Sequence, residues 1–133
     1  MTFQVDLVSP ERVVFTGEAD MVVARTDSGD IAFQPGHVPF VGVLQPWELK
    51  VNFSDGTAQR IAVHSGFVEV SGGHVTVLSD VAELGSDIDV ARARDAKARA
   101  EGALATDADD EAARSALRRA EVRLSVAGAG DAT

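Results

Sequence analysis

The sequence predicts an α+β fold: an N-terminal antiparallel β-sandwich or flattened barrel of about ten strands, followed by a C-terminal antiparallel two-helix hairpin. Period-two alternation of apolar and polar residues recurs through residues 1–84, and turn-forming residues interrupt it at short intervals. From Asp89 onwards the pattern changes to an alanine-rich, 3.6-residue period. All four prolines and all six phenylalanines precede residue 84. We therefore divide the chain into a β-sandwich domain, 1–84, and a linker with a helical hairpin, 85–133.

The strand pattern is clearest at the N-terminus, where Phe3, Val5 and Leu7 alternate with less apolar neighbours. Further alternating segments are Leu49 to Phe53, Ile61 to Val63 and Val75 to Val77. Gly, Pro, Asp and Ser, the usual turn residues, separate them at Ser9-Pro10, Asp27-Ser28-Gly29, Gln34-Pro35-Gly36, Ser54-Asp55-Gly56 and Ser71-Gly72-Gly73. Short strands at such spacings are typical of a sandwich or barrel.

The helical pattern has two stripes. The first comprises Ala93, Ala96, Ala100, Ala103 and Leu104, and the second comprises Ala113, Ala116, Leu117, Ala120 and Leu124. Asp87 or Asp89 can cap the first helix, and Thr106 to Asp109 breaks the stripe and offers caps for the second. The tail from Ala127 to Thr133 is expected to fray.

The shared face of this hairpin is mostly alanine, which has one methyl group to bury. Ordering a residue costs about 1 to 2 kcal/mol of backbone entropy, whereas a buried methylene returns about 0.8 kcal/mol. We therefore expect the hairpin to be marginally stable alone and to depend on what it packs against. A ligand of ordinary affinity could shift such an element between two positions.

Charge and composition exclude several function classes. The net charge of −9 disfavours nucleic-acid binding and anionic membrane surfaces, because like charges repel. The absence of cysteine excludes disulfides and thiolate chemistry. Since neither a signal peptide nor an apolar segment of membrane-spanning length is present, we expect a cytosolic protein without direct membrane insertion.

No catalytic constellation is visible. His37, His64 and His74 are the only histidines, and no pair of them has metal-ligand spacing. Ser65 lacks the preceding glycine of a nucleophile elbow, and the glycines match no phosphate-binding loop or dinucleotide motif. We expect a protein that is not an enzyme, with no metal site and no required cofactor.

The arginines of the second region allow two interpretations. Arg92 and Arg99 lie seven residues apart on one helix, and Arg119 and Arg123 lie four apart on the other. A hairpin could bring both pairs together into an anion site suited to polyphosphate. Alternatively, the four arginines are solvated and pair with acidic neighbours such as Asp95, Glu101, Glu111 and Glu121.

Several segments in order resemble the epsilon subunit of bacterial F-type ATP synthase. They are Asp6-Leu7-Val8-Ser9-Pro10-Glu11, Ser28-Gly29-Asp30-Ile31-Ala32, Pro35-Gly36-His37-Val38-Pro39, Gly66-Phe67-Val68-Glu69-Val70, Val75-Thr76-Val77-Leu78 and Ile88-Asp89-Val90-Ala91-Arg92-Ala93. The resemblance covers about residues 3 to 127. It implies a non-catalytic rotor subunit at the cytoplasmic face of the bacterial plasma membrane, serving ATP synthesis and hydrogen ion transport.

The resemblance also implies partners. The β-sandwich would dock on the gamma subunit and the ring of c subunits. The hairpin would either fold against the sandwich or extend along gamma toward the alpha and beta catalytic subunits, where the extended form resists ATP hydrolysis.

Some bacterial members of that family bind ATP as a regulatory ligand in the folded-down state. The residues here that match their motif and arginines are Glu83, Ile88, Asp89, Arg92, Ala93, Arg99, Arg119 and Arg123. The resemblance further assigns Ser28, Gly29 and Asp30 to the c-ring contact and His37 to the gamma contact. Without it, these would be an ordinary hairpin turn and a loop histidine, and Trp47 would belong to the core or the sandwich rim.

A second hypothesis remains open. The chain could be a free-standing ligand-binding β-sandwich whose helical tail shields an exposed sheet edge.

Overall fold

The computed structural model describes residues 1–128 and confirms the predicted class, a β-sandwich followed by two helices. It contains nine strands where about ten were expected. They are β1 (Phe3–Val8), β2 (Val13–Thr26), β3 (Gly29–Phe33), β4 (Phe40–Leu44), β5 (Trp47–Phe53), β6 (Ala58–Val63), β7 (Gly66–Ser71), β8 (His74–Ser79) and β9 (Ala82–Leu84). A 3-10 turn, Gly85–Asp87, leads to α1 (Val90–Thr106) and α2 (Glu111–Val126). Most of the tail expected to fray, residues 129–133, lies outside the described residues.

Five strands close into a ring, in the order β1, β8, β7, β4 and β2, with β2 pairing back to β1. The long strand β2 makes this closure possible, because it pairs with β1 near its start and with β4 at Thr26, its last residue. Strand β2 also pairs with β3 and with β5, from which β6 and β9 continue the sheet. The pairing of β1 with β8 is parallel, and the others between described strands are antiparallel.

The core follows the alternation seen in the sequence. In β1 the side chains of Phe3, Val5 and Leu7 are buried, and in β5 those of Leu49 and Val51 are buried. Successive strand residues point to opposite faces, so these form one side of each strand. The apolar interior is continuous across the closed ring and β5 and β6.

The second half of strand β6 is buried on both faces. Ile61 and Val63 point into the sandwich core, whereas Ala62 between them is fully buried against Val122 and Val126 of α2. A methyl group at Ala62 leaves room for the helix to lie close to the sheet. The docking face of α2 is therefore a valine pair that the alanine stripe did not include.

The two helices pack on each other as the predicted hairpin, and α2 also packs on β5 and β6. Ala93 and Ala100 of α1 and Ala113 and Ala120 of α2 are buried, as their stripes predicted. Ala116 and Leu117 are only half-buried. No helix within residues 1–128 is both long enough and apolar enough to cross a bilayer.

Each helix begins at an aspartate cap. Asp89 accepts a hydrogen bond from the backbone N–H of Arg92 at 3.1 Å, as one of the two expected caps. Asp110 accepts from the N–H of Ala113 at 3.0 Å. The cap of α2 is thus one residue beyond the predicted Thr106 to Asp109 break, because Asp107 is used within the turn, where it accepts from the N–H of Asp109.

Candidate functional site

A cleft of about 370 Å³ lies where the last strand of the sandwich, the linker and both helices meet. We call it the Glu83 cleft. Its lining residues are Glu83 of β9, Asp87 and Asp89 of the linker, Arg92, Ala93, Ala96 and Arg99 of α1, and Arg123 of α2. Six of the eight residues assigned to ATP by resemblance are among them: Glu83, Asp89, Arg92, Ala93, Arg99 and Arg123.

Local structure explains why these side chains meet. Arg92 and Arg99 are separated by two turns of α1, so they share a face of the helix about 10 Å apart along its axis. Arg123 comes from α2, which is held beside β6 by Val122. Glu83 lies on β9, which pairs with β6 through the register Glu83–Ala62. The docked hairpin thus assembles residues from both domains.

Glu83 is the most strongly perturbed acid in the cleft. Its Oε1 accepts a hydrogen bond from Nε2 of His64 at 3.3 Å and from Nε of Arg123 at 2.6 Å. These donors, His64 first and Arg123 next, lower the pKa of Glu83 from 4.5 to about 2, against the opposing effect of burial. Glu83 is therefore ionised at neutral pH and fastens α2 to the sandwich.

His64 carries its proton on Nε2, because a carboxylate can only accept. Its side chain is 6% exposed, and its Nδ1 has no hydrogen-bond partner within residues 1–128. His64 is thus a buried structural partner of Glu83, a contact that the sequence pattern did not reveal.

The cleft still offers cationic groups to a ligand. Arg92 and Arg99 are exposed and make no ion pair with any residue in the described part of the chain. Three carboxylates line the cleft: Asp89 is engaged at the helix cap, Glu83 is engaged by Arg123, and Asp87 makes no ion pair within residues 1–128. Two free guanidinium groups beside a third are suited to binding an anion with several oxygens.

Two of the ATP-assigned residues lie elsewhere. Ile88 packs against Ala62, Val122 and Val126. Arg119 lines a different cavity of about 330 Å³, together with His64, Ser65 and Arg118 among others. The structure therefore separates Arg119 from Arg123, although the two lie only one helical turn apart.

The segment assigned to the c ring spans the two-residue loop between β2 and β3 and the start of β3, because Ser28 lies in the loop and Gly29 and Asp30 begin the strand. Asp30 accepts hydrogen bonds from Nε and Nη2 of Arg25 at 2.7 and 3.4 Å, which lower the pKa of the Asp30 carboxyl. The Asp30 side chain remains 59% exposed. Ser28 donates its backbone N–H to the Thr26 hydroxyl, and Gly29 takes a positive φ of 114°. The segment is ordered by local contacts, and Asp30 at the start of β3 presents a carboxylate to solvent.

His37, assigned to the gamma contact, is half-buried in the loop between β3 and β4. Its ring packs edge-on against Phe33, with centroids 5.0 Å apart, and its Nδ1 donates to the carbonyl of Val38 at 2.7 Å. No group of three or more metal-ligating side chains is found within residues 1–128.

The two regions of the chain match two family models. Residues 2–85 match the model described as the ATP synthase delta/epsilon chain β-sandwich domain. Residues 86–128 match the model described as the ATP synthase delta/epsilon chain long α-helix domain. The chain belongs to the ATP synthase delta/epsilon family. The resemblance seen in the sequence is thereby confirmed, and the alternative of a free-standing sandwich loses its support.

Curated relatives in this family cover nearly the whole chain. It is 43% identical over 120 residues to the ATP synthase epsilon chain of Streptomyces griseus, covering 90% of each chain. It is 42% identical over 131 residues to the epsilon chain of Halalkalibacterium halodurans, covering 96% of this chain and 98% of that one.

Solved structures of more distant proteins share the delta/epsilon fold. A chain in the cryo-EM structure of the Euglena gracilis mitochondrial ATP synthase, OSCP/F1/c-ring, superposes with a TM-score of 0.70 at 22% identity, over 92% of this chain and 74% of that one. A chain of the Tetrahymena thermophila mitochondrial ATP synthase central stalk/c-ring gives 0.55 at 18% identity, over 68% and 69%. At these identities the likeness concerns the fold alone.

Sequence reasoning missed an apolar row across the outside of this delta/epsilon sandwich. The register places Val43 opposite Phe67, Phe67 opposite Leu78, Leu78 opposite Val8 and Val8 opposite Val13. Directly paired residues share a face, so the row is continuous over five strands. Phe67 is 53% exposed and Leu78 45% exposed. The apolar run Val41-Gly42-Val43-Leu44 was the available signal for this row. A strand that is apolar on both faces buries one face in the core, and the other face is then removed from water only by contact with a partner.

Proposed function

We propose that this chain is a non-catalytic rotor subunit of a bacterial ATP synthase, which joins gamma to the c ring and whose hairpin responds to ATP. Family membership supports the rotor role, as does the origin of the Tetrahymena neighbour in a central stalk/c-ring structure. The observation that carries the ATP proposal is the Glu83 cleft, which draws its arginines from both helices and one of its three carboxylates, Glu83, from the sandwich.

ATP in this cleft would stabilise the docked hairpin. Arg92 and Arg99 would bind phosphate oxygens, and Arg123 would contribute from α2 while it holds Glu83. Because an undocked hairpin lacks the cleft, bound nucleotide shifts the equilibrium toward docking. At a free ATP concentration ten times the Kd, linkage supplies about 1.4 kcal/mol. A shift of that size is enough to change the position of a marginally stable element.

Calorimetric titration of the full chain with ATP tests this proposal. Arg92→Gln should weaken binding by roughly tenfold, since a charge-assisted hydrogen bond contributes about 1.5 to 3 kcal/mol. The matched control is Arg94→Gln, because Arg94 is exposed on the same helix and does not line the cleft. Absence of binding at millimolar ATP, or an equal loss in both variants, would remove nucleotide sensing and leave the rotor role intact.

The apolar row is the surface we assign to gamma, with His37 as a further contact. An exposed phenylalanine in a continuous apolar row is a typical centre of a protein interface. In size-exclusion chromatography with the gamma subunit, Phe67→Gln should reduce complex formation. Val81→Gln, at a 41% exposed valine outside the row, should not. Equal behaviour of the two variants would reject this face.

The c-ring contact is proposed at Ser28, Gly29 and Asp30, where the exposed carboxylate can attract basic groups of a partner. Asp30→Asn should lower affinity for the c ring and reduce its dependence on salt, with little change in fold stability because exposed ion pairs contribute little. If Asp30→Asn binds the c ring with the affinity and salt dependence of the wild type, the contact does not involve the Asp30 carboxylate.

Regulation is proposed to follow from hairpin release. The released helices would extend along gamma to the alpha and beta subunits and oppose hydrolysis, with the subunit peripheral at the cytoplasmic face of the membrane. ATP hydrolysis by the whole catalytic complex, with the full chain or with residues 88–133 deleted, measures this effect. We expect faster hydrolysis after deletion, and an unchanged rate would contradict the regulatory role.

A further inference from the structure

A second cleft, of about 500 Å³, shares no lining residue with the Glu83 cleft. We call it the Trp47 cleft. It lies between β2, the start of β5 and the two helices, and Trp47 forms part of its wall. The guanidinium carbon of Arg25 lies 4.1 Å from the centre of the Trp47 ring, so the aromatic wall carries a cation at its edge.

The lining of this cleft is strongly basic in an acidic protein. Arg25, Lys97, Arg114 and Arg118 face Glu121 as the one carboxylate, whereas the whole chain has a net charge of −9. The four cations come from three different elements: β2, α1 and α2. Their convergence therefore depends on tertiary structure rather than on a local run of basic residues.

Two of the cations are available to a ligand. Arg25 is engaged by Asp30, and Arg114 donates to Glu111 at 2.9 Å and to the carbonyl of Ala108 at 2.6 Å. Lys97 and Arg118, by contrast, make no ion pair with any residue between 1 and 128. Lys97 is half-buried, which strengthens its attraction for an anion relative to a fully solvated lysine.

We propose that the Trp47 cleft is a second anion site, which takes a small phosphate-bearing polyanion. Lys97 of α1 and Arg118 of α2 hold the phosphate oxygens, whereas Arg25 and Arg114 stay paired with Asp30 and Glu111 at the walls. The volume lies in the usual range of small-molecule sites. Because the walls come from both helices and the sandwich, an anion here also favours the docked hairpin. This inference does not depend on nucleotide binding in the Glu83 cleft.

Trp47 supplies the readout, since it is the only tryptophan of the chain and lines the site. The full chain is titrated with inorganic pyrophosphate at physiological ionic strength while Trp47 fluorescence is recorded. We expect a saturable change in the wild type. The double variant Lys97→Gln/Arg118→Gln should weaken binding by about tenfold or more, because two charge-assisted contacts are lost.

Two control variants distinguish binding in the Trp47 cleft from binding in the Glu83 cleft and from a general effect of charge. Arg94→Gln removes an exposed charge of α1 outside both clefts and should leave affinity within about twofold, as expected for a screened distant charge. Arg92→Gln impairs the Glu83 cleft and should likewise leave the Trp47 signal unchanged. The proposal is overturned if Trp47 fluorescence does not change at millimolar pyrophosphate. It is also overturned if Arg94→Gln weakens pyrophosphate binding as much as the double variant does, or if binding is lost in Arg92→Gln and kept in the double variant.

Discussion

Arg123 of α2 donates to Glu83 of β9 at 2.6 Å, so one ion pair joins the last strand of the sandwich to the last helix. Both side chains are about 30% exposed, and His64 contacts the same carboxylate oxygen from the buried side. The acidic residue that would face a nucleotide is therefore also the residue that fastens the hairpin.

Glu83→Gln should loosen the docked hairpin. The substitution keeps the shape of the side chain and removes its charge, which we expect to cost about 1 to 2 kcal/mol for a partly buried, charge-assisted contact. Urea unfolding followed by circular dichroism measures the change. Glu111→Gln is the control, because its pair with Arg114 is largely exposed and should contribute under about 0.5 kcal/mol. A similar loss in both variants would show that the position of Glu83 is not special.

The same contact should make docking sensitive to acid. Since folding lowers the pKa of Glu83 from 4.5 to about 2, its contribution is complete above pH 4.5 and is lost as the pH falls toward about 2. The difference in unfolding free energy between wild type and Glu83→Gln, measured at a series of pH values, should shrink across this window. Asp6 and Asp30 also have lowered pKa values, but they titrate in both proteins and cancel in the difference. A pH-independent difference would contradict the assigned contact.

Asp110, the cap of α2, should contribute more to helix stability than the adjacent Asp109. Asp110→Ala removes the acceptor for the N–H of Ala113, and loss of an aspartate cap costs about 1 kcal/mol. Asp109 is adjacent and exposed, but its carboxylate caps nothing in the described structure, so Asp109→Ala should be nearly neutral. Amide exchange in the first turn of α2 compares the two variants. Equal protection of these amides in the two variants would show that Asp110 is not the cap.

Two glycines should respond in opposite directions to alanine. Gly66 has a φ of 145°, and a Cβ built there would lie 1.8 Å from the carbonyl oxygen of Leu78, so Gly66→Ala should cost about 2 to 4 kcal/mol. Gly102 lies within α1 with open space around it, and Gly102→Ala should stabilise the helix by up to about 1 kcal/mol. Thermal unfolding of both variants checks the signs, and a destabilised Gly102→Ala would indicate a contact on that face.

The fold could be predicted from the sequence because its signals are local. Alternation identified the buried face of β1, and the change of period near Asp89 located the helices. Docking could not be predicted in the same way. The alanine stripe reports how α1 and α2 pack on each other, whereas the contact with the sandwich uses Val122 and Val126 against Ala62, a pairing between distant parts of the chain.

In the candidate site too, some features could be predicted from the sequence and others depend on tertiary contacts. The family resemblance identified six residues that line the Glu83 cleft. Arg119, however, lines another cavity, because a spacing of four residues from Arg123 along α2 does not ensure that both side chains reach the same ligand. His64 and the apolar row were missed, since the partner of a buried histidine and the register between strands depend on tertiary pairing.

The parallel pairing of β1 with β8 has a consequence for biosynthesis. Asp6 and His74 bond to each other although 68 residues separate them, so the ring cannot shut until more than half of the polypeptide has left the ribosome. Closing so long a loop is slow compared with forming a helix. The helices emerge last and can pack on β6 only after that closure, so a translating chain would reach the docked arrangement of its hairpin at the end of assembly.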